Sequence, residues 1–219
     1  EPMRLRRPRS QPKPRRGFTL LETALAMIIV MVGVVAMVEA HGAMMRANAW
    51  SSQEATATYL ANEIRERMRM LPRHDPVSGL SATAGPGPET NEVTVADFDD
   101  VDDYNGISFG PGGTFEGPID AFGRIIHDVD VLGVVRVDPG TGEPLSLQGW
   151  RQEVSVQKVD PYDFATVRTW TATDPPSGNF AGRAADQFPL RVTVSVFYQA
   201  PLSATAEKVT EVTWIVPAR

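Results

Sequence analysis

The chain has 219 residues, with 21 Lys and Arg, 27 Asp and Glu, and no Cys. That length accommodates one globular domain with an added element, and without Cys neither a disulfide nor a thiolate metal site can form. Charge is segregated: residues 1–17 carry seven basic side chains (Arg4, Arg6, Arg7, Arg9, Lys13, Arg15 and Arg16) and one acid, Glu1, while the remainder holds 14 basic and 26 acidic residues. So acidic a body argues against nucleic-acid binding by it, because phosphate recognition needs a positive surface. Since the sequence begins at Glu1, the natural start is expected upstream or at Met3.

Residues 1–17 contain Pro2, Pro8, Pro12 and Pro14, a density that prevents a helix and predicts a flexible basic tail. Residues 18–38 then run without Pro and with one charge, Glu22. At about 1.5 Å per residue such a helix reaches about 30 Å, the thickness of a bilayer core. The basic cluster ahead of it predicts a cytoplasmic N-terminus and a body on the far side of the membrane. Residues 39–71 continue the helix in a polar, amphipathic form. Ala57, Leu60, Ala61, Ile64, Met68 and Leu71 recur at spacings of three and four and so share one face. Glu63, Arg65, Glu66, Arg67 and Arg69 make up the solvated side. Pro72 ends the element, and a helix over 18–71 would be about 80 Å long.

Residues 72–122 hold Pro72, Pro76, Pro86, Pro88, Pro111 and Pro118 with many Gly. They read as irregular, with one short strand around 92–95. Residues 123–219 read as β. Val129, Val131, Val135 and Val137 share a face; Trp150, Val154 and Val156 alternate with Arg151, Glu153, Ser155 and Gln157. Leu190, Val192, Val194, Val196 and Tyr198 alternate with Arg191, Thr193 and Ser195, and Val212, Trp214 and Val216 with Glu211 and Thr213. Period-two alternation predicts an antiparallel sheet with one buried face. Residues 138–142 are the turn joining its first two strands, and 201–208 join its last two. The predicted class is α+β: a long N-terminal helix, transmembrane then amphipathic, whose polar half covers the sheet. Trp150, Val154, Val194, Trp214 and Val216 are the expected core.

Signs of catalysis are lacking. His41, His74 and His127 are far apart in the chain, with no metal-ligand spacing among them. A nucleophile elbow and a phosphate-cradling Gly-Lys-Ser/Thr are absent, and Gly110-Pro111-Gly112-Gly113 precedes no Lys. No enzyme activity and no organic cofactor are expected.

The informative stretch is Arg15-Arg16-Gly17-Phe18-Thr19-Leu20-Leu21-Glu22. It resembles the type IV prepilin and pseudopilin family, in which a basic leader ends in Gly before Phe-Thr-Leu-Leu/Ile-Glu opens an apolar helix. The resemblance implies a pilin-like fold and cleavage between Gly17 and Phe18 by a prepilin peptidase. It also implies methylation of the new Phe18 amine and an assembly role for Glu22. A secretory signal would have a shorter apolar region followed by a small-residue cleavage site, and a plain anchor gains nothing from an acid in its span. That acid costs about 2.5–3.5 kcal/mol near the bilayer centre and less towards its edge. The amine exposed on Phe18 supplies a partner: Glu22 of a neighbouring subunit in a filament, paired in low dielectric. Gly33 and the Ala residues permit close packing of such helices.

Residues 61–69 are similar to minor pilins of the V-type and minor pseudopilins of the I-type. Residues 98–106 are similar to D-type minor pilins of mannose-sensitive haemagglutinin pili. Absence of a Pro near 33–38 favours a minor subunit. These resemblances imply other pilins or pseudopilins, a peptidase/methyltransferase, an inner-membrane assembly platform and membrane lipid as partners. They leave open whether the machine is an adhesive, twitching or DNA-uptake pilus or a type II secretion pseudopilus. The alternative is a single-span periplasmic binding domain that does not polymerise.

Asp97, Asp99, Asp100, Asp102 and Asp103, followed by Asn105 and Gly106, form an acidic segment. A solvated loop is one reading. An irregular calcium site built from Asp100, Asp102, Asp103 and Asn105 is the other, since a hard cation would relieve the repulsion. An EF-hand loop is not met: placing Gly106 sixth puts Val101 first and Gly112 twelfth.

Overall fold

The computed structural model describes residues 19–77, 79–80 and 85–218. Two compact units are present, Glu1–Ala49 and Trp50–Arg219. Helix α1 (Leu20–Met68) enters both. Its uninterrupted course follows from the absence of Pro, and it ends in a turn just ahead of Pro72, which disfavours helical backbone in the residue before it.

In the first unit the helix buries almost nothing. Leu21, Leu25, Ile28, Ile29, Val32, Val35 and Val38 are all exposed. An 18-residue stretch of α1 has a mean hydropathy of 2.5, long and apolar enough to cross a bilayer.

In the second unit the helix becomes one-sided. Ala57, Leu60, Ala61, Ile64 and Met68 are buried, the face that the three-four spacing predicts. Burial of Leu60, Ile64 and Met68 contributes about 1.5–3 kcal/mol each. They pack on a four-stranded antiparallel sheet of order β1-β2-β3-β4, made of β1 (Ser108–Phe109), β2 (Trp150–Lys158), β3 (Leu190–Tyr198) and β4 (Glu207–Val216). Val154 faces Val194 and Val156 faces Val192 across β2 and β3, and Val194 faces Val212 across β3 and β4. Trp150, Val154, Val192 and Val194 are buried, whereas Trp214 and Val216, on edge strand β4, are partly covered. An aromatic group of Phe98, Tyr104, Phe109 and Phe115 closes the β1 side, with edge-on contacts of 5.2 Å between Phe98 and Tyr104 and 5.6 Å between Phe98 and Phe115.

Polar side chains fasten the helix to the rest. Gln152, fully buried, donates to the Leu60 carbonyl at 2.9 Å and the Ile119 carbonyl at 3.1 Å and accepts from the Ile119 N–H at 2.8 Å. Glu63 accepts the Ala121 N–H at 2.7 Å. Arg67 donates to the Tyr104 hydroxyl at 2.5 Å and the Val95 carbonyl at 2.6 Å.

Two parts differ from the pattern in the sequence. Residues 92–95 are irregular, with no strand among them, and the short strand of this region is β1. Residues 129–137, whose valines alternate as in a sheet strand, instead fold back on themselves. Val129 bridges Val135, and Val137 bridges Pro144. The Asp130 carboxylate accepts the N–H groups of Leu132 and Val134 at 2.8 and 2.9 Å, and Gly133 takes a φ of 79°. An Asp turn with a left-handed Gly reverses the chain there. Asp120 does the same with Phe122 and Arg124 around Gly123. This arm leaves Val129, Val131, Val134 and Val137 exposed.

Candidate functional site

The start of α1 is closed by its own side chains. Glu22 accepts from the Thr19 N–H at 2.8 Å and from its hydroxyl at 3.0 Å, while the Thr19 hydroxyl accepts the Glu22 N–H at 3.3 Å. This reciprocal arrangement is a capping box, which satisfies backbone donors that a helix start leaves free. Sequence reading of Glu22 as an acid with no use inside one chain missed it, although Thr-x-x-Glu is its signature. Gly17 and Phe18 lie outside the described residues.

The acidic segment is folded into the domain. Asp100 and Asp103 are fully buried, and Asp102 nearly so. Each of the first two uses one oxygen to shape the loop. Asp100 Oδ1 accepts the N–H groups of Asp102 at 2.7 Å and Asp103 at 3.1 Å. Asp103 Oδ2 accepts those of Asp99 and Asp100, both at 3.0 Å. The other oxygens, Asp100 Oδ2 and Asp103 Oδ1, are buried without a hydrogen-bond donor, as is Glu89 Oε2.

The four residues singled out in the sequence are not one group. Asp102 pairs with buried His74, and Asn105 Oδ1 accepts the Val156 N–H at 3.0 Å. Asp100 and Asp103 remain, joined by Asp99 of the same segment and by Glu89 and Glu92, which sequence reading left out. Ligand oxygens of Asp99, Asp100 and Asp103 lie within 4.8 Å of one another, and so do those of Glu89, Glu92 and Asp103. The trace of the added pair in the sequence is the spacing of three in Glu89-Thr90-Asn91-Glu92.

Crowding disturbs these acids. Burial, then the charges of Asp102 and Asp103, push Asp100 up to about 9. Burial also raises Asp103, to about 6. The Glu92 carboxyl beside it, then burial, raise Glu89 to about 7, and burial raises Glu92.

Residues 12–38 match a family model described as the prokaryotic N-terminal methylation motif. No curated protein and no solved structure matches the chain. The matched segment takes in Lys13, Arg15, Arg16, Gly17, Phe18, the capping box and the apolar opening of α1. The match is confined to this N-terminal stretch and leaves residues 39–219 outside it. Helix α1, which begins inside this segment, is long and apolar enough to cross a membrane.

Proposed function

We propose that the chain is a minor pilin or pseudopilin, a subunit that assembles through α1 into a type IV pilus or a type II secretion pseudopilus. The observation that carries this reading is the methylation motif over 12–38 running directly into an exposed apolar helix. A prepilin peptidase cuts between Gly17 and Phe18 and the new amine is methylated. Before assembly the chain is a single-pass inner-membrane protein, with residues 1–17 in the cytoplasm and the second unit in the periplasm. On assembly the Phe18 amine of one subunit meets Glu22 of another while apolar helices pack around them. Other pilins, the peptidase and the inner-membrane assembly platform are its partners.

Intact mass of the membrane-purified protein, from cells that hold the peptidase, tests the processing step. The expected species begins at Phe18 and carries one added methyl group. Gly17→Ala should retain partial cleavage and Gly17→Trp should abolish it. A mature wild-type protein that keeps its basic leader would falsify the proposal and leave an anchored domain that does not polymerise.

A further inference from the structure

We propose that the two carboxylate triads that share Asp103, Asp99–Asp100–Asp103 and Glu89–Glu92–Asp103, form a site for a divalent cation of the calcium class, centred on the Asp103 carboxylate. Acidic clusters alone are common on surfaces; this one is distinguished by where its oxygens are. Asp100 and Asp103 are fully buried, and each has an oxygen without a hydrogen-bond donor. A third buried oxygen of the same kind belongs to Glu89. Buried acceptors left unpaired cost free energy that native proteins rarely tolerate. In the two triads that share Asp103, the ligand oxygens approach within 4.8 Å of one another, as oxygens around one cation do when each is about 2.3–2.6 Å from it.

Ligand chemistry selects the ion class. Every donor is a carboxylate oxygen and neither His nor Cys takes part, which suits a hard cation over zinc or copper. The loop is also fixed in advance. Arg67 holds the Val95 carbonyl and the Tyr104 hydroxyl on either side of Asp99, Asp100 and Asp103. Phe98, Val101 and Tyr104 anchor the same segment in the core. Bound cation therefore joins residues 89–92 to 99–103 and stabilises the stretch that connects α1 to β1.

The full chain in detergent supplies the test, read by tryptophan fluorescence during thermal unfolding. Melting is compared in chelator, in millimolar calcium chloride and in sodium chloride of equal ionic strength. Calcium should raise the midpoint by about 3 °C or more over both other conditions. Calorimetric titration of the chelator-treated protein should show saturable binding with a Kd of about 1 mM or tighter. In D100N and D103N, the calcium shift should shrink to less than half. If either variant fails to fold, wild-type calorimetry decides alone. Superimposed curves in chelator and calcium, equal shifts with sodium chloride, or no saturable heat would overturn the proposal. Stabilisation on acidification to about pH 5.5 with no response to calcium would overturn it too, and assign the orphaned oxygens to shared protons.

Discussion

Glu22 caps its own helix, and in the filament proposed above it also meets a neighbour's amine; one substitution separates the two roles. Gln at the third helical position still accepts from the Thr19 N–H, because the capping box takes Gln as well as Glu. It cannot balance a buried ammonium. Glu22→Gln should therefore preserve the helix start yet lower incorporation into filaments, and Glu22→Ala should do so at least as much. Losing a charge-assisted bond of about 1.5–3 kcal/mol corresponds to roughly 10–100-fold in the assembly equilibrium. Quantitative immunoblotting of sheared filaments against the membrane pool reads this ratio. Wild-type incorporation of Glu22→Gln beside a defective Glu22→Ala would assign Glu22 to capping alone.

Among the elements, β2 ends in an unusual residue. Lys158 faces the interior of the domain with only 1 % of its surface exposed. Its ammonium donates to the carbonyls of Trp170 at 3.0 Å and Ala172 at 2.6 Å and lies 4.2 Å from the Phe188 ring centre. It thereby fastens the long connection between β2 and β3. Burial, then the charge of Arg168, lower its pKa to about 8, against the pull of Asp174 and Asp186. Between pH 8 and its ordinary value of 10.5 the unfolded chain holds a proton that the folded chain has released. Stability from this group must then rise with pH across that window. Tyr104, raised by burial, acts in the opposite sense at the alkaline end, so the useful range stops near pH 10. Urea unfolding at pH 8 and pH 10 should show wild type gaining on Lys158→Met. A constant difference between the two proteins would show that the amine does not titrate there.

At the scale of the whole molecule, among the described residues every member of the hydrophobic core lies at or beyond Ala57, inside the second unit. A fragment beginning at Asn48 should accordingly be a soluble monomer with mixed helix and strand, by gel filtration and circular dichroism. Aggregation of that fragment would mean that part of the sheet's cover comes from another subunit. The elements that carry this core were legible beforehand because each keeps one period over many residues: Ala57 to Met68 for the helix, Trp150 to Lys158 and Leu190 to Tyr198 for the strands. A two-residue strand such as β1 has no period to read. The valines at 129–137 do alternate, but the Asp130–Gly133 turn between them places Val129 opposite Val135 in a narrow bridge. Competition between local turn chemistry and hydrophobic pattern was won by the turn. The grouping of the acidic side chains was half legible. Proximity in the chain groups Asp100 with Asp103, but only the fold shows that His74 removes Asp102 and that Glu89 and Glu92 are added.

The side chains that fasten α1 to the domain have a mechanical consequence. Leu60, Glu63 and Arg67 fall within two turns of helix, and through them the helix is held to Gln152, Ala121, Val95 and Tyr104. A pull along the helix axis would load these attachments together, in shear, rather than peel them one after another. Forced separation is governed by the barrier to unfolding rather than by equilibrium stability, and attachments that share a load raise that barrier jointly. A filament held together by its helices would in this way pass tension into the outer domains without stripping them from the core.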